Sequence, residues 1–222
     1  MPAIERLVPR LFAIVVLSVA FVALTMAITA GVFATLDHQV ADAMHSIWQE
    51  SLHGLFQAIA ELGGLELTTI LMVGLFFYLW RGGFGADALA VLAFAGAVAL
   101  ELVYKELFFH PGPPRSLSHP DGPSVTAIFV GNGVGNSFPS GHMVRAVVAY
   151  GLLAFVIGRL APSRAARLLA LTIAILIIVV VAFDRLYLDV HWETDVIGGL
   201  LLGSIALLAA TVWLDRPIKT EN

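Results

Sequence analysis

Three short stretches of the chain carry side chains suited to gripping an anion and moving a proton. Phe138-Pro139-Ser140-Gly141-His142 stands directly ahead of an apolar run, so it reads as a helix start. Free backbone N–H groups and the positive end of the helix dipole make such a start a ready anion site. Ser140 can cap the helix or donate to an anion oxygen, Gly141 lets the backbone approach closely, and His142 can exchange a proton near neutral pH. Taken alone, this stretch reads equally well as a capped helix with an interfacial histidine. Further along, Asp195 follows His191 by four positions, so on a helix the carboxylate can accept from one ring nitrogen and raise the basicity of the other. A histidine prepared in that way can act as a nucleophile or a base. Arg185 adds a planar fork suited to an oxyanion, while Tyr187 and Trp192 read as interfacial belt aromatics. Lys105 follows Glu101 by four positions and is either one half of an intrahelical ion pair or a point charge for an anion, and Glu101 itself reads as structural. Arg145, one turn beyond His142, either pairs with a carboxylate or holds a bound anion.

These residues need elements to bring them together, and composition says which kind. Of 222 residues, 59% are hydrophobic and 13% charged, and mean hydropathy is +0.91. A soluble domain carries roughly 25% charged residues, so a water-soluble globule is excluded. Disorder, a collagen-like repeat and a disulfide scaffold go with it, the last because there is no cysteine. The net charge of −4 argues against a nucleic-acid partner. The fold class that remains is an all-α polytopic membrane protein. Six apolar segments approach the ~20 residues a span requires: Leu11–Leu36, Leu67–Trp80, Ala86–Tyr104, Met143–Leu160, Leu168–Phe183 and Val196–Leu214. The first exceeds the apolar core of a signal peptide and reads as an uncleaved helix.

Six spans put both termini on one side. With those termini cytoplasmic, eight of the twelve Lys and Arg residues lie inside: Arg6, Arg10, Arg81, Arg159, Arg164, Arg167, Arg216 and Lys219. The four left outside are Lys105, Arg115, Arg145 and Arg185, each in or beside a His-, Gly- or Pro-containing segment. Lys105, Ser140, Arg185 and His191 then fall at helix ends facing the same surface. Between the first two spans, residues 37–66 carry apolar positions every three or four residues. They read as an amphipathic outer segment packed as a cap over the bundle. No metal-ligand spacing, aspartate-rich loop or cysteine supports a metal site. His110 and His119 read as solvated loop residues, and His38, His45 and His53 as interfacial.

The sequence resembles the type-2 phosphatidic acid phosphatase superfamily, the membrane relatives of vanadium haloperoxidases. That family carries Lys-x6-Arg-Pro, then Pro-Ser-Gly-His, then Ser-Arg-x5-His-x3-Asp. Here the second motif is intact at Pro139–His142, and the third is present as Arg185, His191 and Asp195, with Asp184 in place of the serine. In the first, Lys105 is present but Gly112 occupies the arginine position ahead of Pro113; Arg115 is the favoured substitute and Arg145 the other. The resemblance covers roughly Lys105–Gly199 within a single domain spanning residues 1–222. It implies that His191 is the nucleophile and forms a phosphohistidine, that Asp195 orients it, and that His142 serves as acid and then base. Lys105, Arg115, Ser140, Gly141, Arg185 and Arg145 are implied to hold the phosphate. No cofactor or metal is implied, since fixed cationic donors can position and neutralise a phosphoryl group.

The expected activity is metal-independent hydrolysis of a lipid phosphate or pyrophosphate at the outer leaflet of the bacterial inner membrane. Undecaprenyl pyrophosphate is the first choice of substrate, with phosphatidic acid or phosphatidylglycerol phosphate also expected. The alternatives are a lipid phosphotransferase using the same histidine, or a non-catalytic lipid-binding or transport protein. The expected partners are the bilayer and a lipid phosphate. Oligomeric state is not legible.

Overall fold

The structure is a computed structural model that describes residues 3–114 and 136–216. Among the described residues the long elements are all α-helices: α1 (Ala3–Thr29), α2 (Ala34–Ile47), α3 (Glu50–Ala60), α4 (Leu65–Arg81), α5 (Leu92–Leu107), α6 (Gly141–Leu160), α7 (Arg164–Tyr187) and α8 (Glu193–Leu214). Six helical stretches are long and apolar enough to cross a bilayer, and they agree in number and order with the six expected spans.

The boundaries differ where a helix continues beyond its apolar run. α7 begins at Arg164 and ends at Tyr187, so Asp184 and Arg185 belong to its last turn. α8 likewise takes in Glu193 and Asp195. The second span, expected from Leu67, is part of an apolar helical stretch that starts at Glu50, and the first, expected to reach Leu36, ends early. α1 stops at Thr29, and Gly31 follows in the left-handed region with φ 71°. That conformation comes readily to glycine, and it turns the chain so that Ala34 starts a separate helix. The amphipathic segment is therefore α2 and α3. α3 runs through a short 3₁₀ turn at Glu61–Gly63 into α4.

α6 forms the centre of the bundle, with 61% of its span buried against 11–39% for the other five. It packs against α7, α8, α5 and α4, while α7 and α8 scarcely touch each other. Small residues allow the close approach of α6 and α8. A Cβ at Gly199 would lie 2.5 Å from the Ser140 carbonyl oxygen, and one at Gly203 2.8 Å from Val147 Cβ. Phe138, fully buried, anchors the entry to α6 within a ring cluster, its centroid 5.6 Å from Phe21 and 5.4 Å from Phe108.

Candidate active site

The fold gathers the sequence-predicted residues at one end of the bundle. Ser140 is the N-cap of α6 and Gly141 its first residue. Ser140 is completely buried, yet its hydroxyl has no hydrogen-bond partner and does not cap the helix. Its amide donates to the Asp195 carbonyl at 2.9 Å, which ties the start of α6 to the start of α8. An unsatisfied hydroxyl at a helix N-terminus, beside free amides, is suited to an anionic oxygen.

His191 lies in the short connection before α8. Its Nδ1 is 3.3 Å from Asp195 Oδ2, which also accepts from the Trp192 amide at 2.8 Å. Nδ1 therefore carries the proton, and the lone pair on Nε2 is left free. Burial pushes the His191 imidazole below its ordinary value, and Lys105 and Arg185 push the same way, against the Asp195 hydrogen bond. His142 also lies within electrostatic reach of Lys105, Arg185 and His191. Its Nδ1 is 3.4 Å from an Arg145 guanidinium nitrogen, which can only donate, so Nδ1 accepts and the proton sits on Nε2.

The cations are held by carboxylates. Arg185, 1% exposed, is bound by Asp184 through two guanidinium nitrogens. Arg145 donates to Glu101 at 3.1 Å and to the Gly63 carbonyl at 3.0 Å, so of its two readings the carboxylate pair is the one that forms. Lys105 Nζ lies 3.0 Å from the other Glu101 oxygen. Glu101 is thus more than a helix-surface partner: buried, it joins Lys105 to Arg145 and rests directly against Gly141. Arg115 and His119 lie outside the described residues.

Further residues take part that the sequence did not assign to the site. His110, expected to be solvated, is largely enclosed, with Nε2 3.4 Å from Asp195 Oδ1. Its backbone is fixed by Asn136, whose side chain accepts from the His110 amide and donates to the Lys105 carbonyl. Asp37, on α2, accepts from the Thr194 amide and hydroxyl, both at 3.0 Å. It therefore caps α8 from a residue 157 positions away. Burial pushes its carboxyl above the usual range, opposed by those two hydrogen bonds. His38 stacks on Trp192, and His45 pairs with Asp189 at 3.0 Å, so these interfacial histidines fasten α2 to the His191 connection. Among the described residues no group of three His, Cys, Asp or Glu side chains is placed to hold a metal ion.

Two histidines, one oriented by a carboxylate, are thus set among cations and a helix N-terminus inside a six-span bundle. The chain matches the PAP2 superfamily model over residues 84–219 and belongs to that family. It is 30% identical to phosphatidylglycerophosphatase B of Bacillus subtilis (strain 168) over 207 residues, which cover 90% of this chain and 93% of that protein. It is also 33% identical over 137 residues to the undecaprenyl-diphosphatase-like protein YbjG of Escherichia coli (strain K12), covering 60% and 62%. The crystal structure of a transmembrane PAP2-type phosphatidylglycerolphosphate phosphatase from Bacillus subtilis superposes with a TM-score of 0.76 at 27% identity, covering 95% of this chain and all of that one. The protein is a multi-pass membrane lipid phosphatase of the PAP2 type.

Proposed function

We propose that this phosphatase hydrolyses a lipid pyrophosphate or phosphate monoester through a phosphohistidine on His191, at the outer face of the bacterial inner membrane. Lys105, Arg185, the Ser140 hydroxyl and the Gly141 amide hold the non-bridging oxygens. His191 Nε2 attacks phosphorus, the bond to the leaving oxygen breaks, and His142, entering the step as the imidazolium, delivers a proton to that oxygen and is left neutral. Asp195 stabilises the positive charge that develops on His191. Water then attacks the phosphohistidine while His142 takes its proton, the N–P bond breaks, and inorganic phosphate leaves with His191 neutral again. Arg145, engaged by Glu101, orients His142, and Arg115 is the expected substitute for the arginine missing from the first motif.

The observation that carries this reading is the free Nε2 of His191, with Nδ1 held by Asp195, beside Arg185 and Lys105. The outward site is supported by the ion-paired cluster of Arg10, Arg159 and Arg216 at the other end of the bundle, since basic residues favour the cytoplasmic side. Undecaprenyl pyrophosphate is the preferred substrate, ahead of phosphatidylglycerol phosphate. The test is phosphate release in detergent with quenched-flow capture of the labelled enzyme. His191→Ala should lower turnover by about 10⁴-fold or more and abolish an acid-labile, base-stable phosphoenzyme. Turnover retained in that variant refutes the mechanism.

A further inference from the structure

Below the site, an apolar groove of about 940 Å³ runs between α7 and α8 with α6 as its floor. It exists because α7 and α8 both pack on α6 without closing on each other, and because the floor carries Ala154 and Gly158 where larger side chains would fill it. Its upper end is lined by Met143, Ala182 and Val196. These directly follow His142, lie three residues before Arg185, and directly follow Asp195. Its lower end is lined by Arg10 and Asp215, which form an ion pair at 2.7 Å.

Length is the informative property. From Val196 to Asp215 along α8, at ~1.5 Å per residue, the groove extends about 28 Å, close to the ~30 Å hydrocarbon thickness of a bilayer. An acyl chain of a lipid whose headgroup sits at one surface reaches only the midplane, about 15 Å, and would leave the lower half unused. A polyprenyl chain is long enough to follow the groove past the midplane to the far end.

We infer that the groove between α7 and α8 is the substrate's tail site, and that its full-membrane length selects a long polyprenyl chain over a short isoprenoid or a one-leaflet acyl chain. This assignment rests on the lipid phosphatase reading proposed above and adds where the tail lies and how its length is sensed. Continuity with the catalytic residues distinguishes this groove from the second one beside Gly74 and Tyr78, which is lined by α4 and α6 and does not reach them. Contacts beyond the midplane add binding energy only for a tail long enough to make them.

Gly158 gives a clean test, because a Cβ there meets no atom within 4 Å, so a larger side chain enters the groove rather than the core. Undecaprenyl and farnesyl pyrophosphate present the same reacting group on long and short isoprenoid tails. With purified full-length protein in detergent, the ratio of kcat/KM for undecaprenyl over farnesyl pyrophosphate is compared between wild type and Gly158→Trp; a ratio cancels any loss of folded protein. A fall of about tenfold in the variant is expected. A ratio unchanged within about twofold overturns the tail site and leaves the groove to ordinary membrane lipid. If Gly158→Trp yields no folded protein, Leu171→Trp, at the exposed rim of the same groove, makes the same comparison: a fall supports the tail site and an unchanged ratio overturns it. Wild-type release from farnesyl pyrophosphate that His191→Ala abolishes upholds the catalytic reading independently of the ratio. No wild-type release from either pyrophosphate overturns the polyprenyl tail site, and the catalytic reading then stands or falls on His191-dependent release from phosphatidylglycerol phosphate.

Discussion

At the site end of the bundle Lys105, Arg145 and Arg185 face the carboxylates of Glu101 and Asp184. At the other end Arg10, Arg159 and Arg216 face Asp87 and Asp215. The inventories are the same, three cations and two carboxylates, but the surroundings are not. The site cations have side chains 18%, 4% and 1% exposed, whereas those opposite are 24%, 40% and 27% exposed. The exposed set is also cushioned by carbonyl oxygens and rings: Arg10 donates to the Thr211 carbonyl, Arg159 to the Leu214 carbonyl, and Arg216 lies over the Trp213 ring at 4.3 Å. Charge inventory alone therefore does not identify a functional cluster. What does is charge carried into the interior beside an unsatisfied hydroxyl and a helix N-terminus, where an isolated cation is costly and an incoming anion lowers that cost.

The contrast can be broken first at Arg185. Arg185→Ala should lower kcat/KM for phosphate release by about 10³-fold, as removal of a preorganised charge from a developing anion does; a loss below about tenfold would make the buried arginine a structural ion pair like those opposite. Asp37→Ala removes the cap on α8 and should cost about 1–2 kcal/mol of stability, read by thermal unfolding in detergent, with a fall in kcat that Asp37→Asn partly restores. The pH profile is a subtler probe. Neutral His191 is the attacking form, and burial favours that form, so the acidic limb of the rate profile should fall below 6.5, the group's ordinary value. Asp195→Asn removes the contact that raises the His191 pKa and should move the limb lower still. A limb at or above 6.5 contradicts the assignment. The smallest effect is expected at the exposed end, where Asp215→Asn should leave turnover unchanged and cost at most about 1 kcal/mol.

Much of the site is legible in the sequence because its spacings are local. Pro139–His142 opens one helix, and His191 stands just ahead of another, where the Asp195 carboxylate turns back over the helix start to reach it, so both groupings are short in sequence. The contributions of Glu101, Asp37 and His110 are not local. Glu101 reaches Arg145 from another helix, Asp37 reaches Thr194 across 157 positions, and His110 is enclosed only because the chain returns past it at Asn136. Nothing in the flanking residues records those meetings. The end of α1 is obscured for a different reason. Hydropathy continues from Val32 to Leu36, while the break depends on the backbone conformation of Gly31.

The contact between Glu101 and Gly141 has a historical consequence. A Cβ on residue 141 would collide with both carboxylate oxygens of Glu101, so the two positions cannot change independently. A larger residue 141 is accommodated only if the Glu101 carboxylate moves aside or is shortened. Either change alone disturbs the site: Gly141→Ala displaces the Glu101 carboxylate, and Glu101→Asp draws it away from Lys105 and Arg145. These two positions, forty residues apart in sequence, should therefore carry a shared evolutionary record, changing together rather than singly.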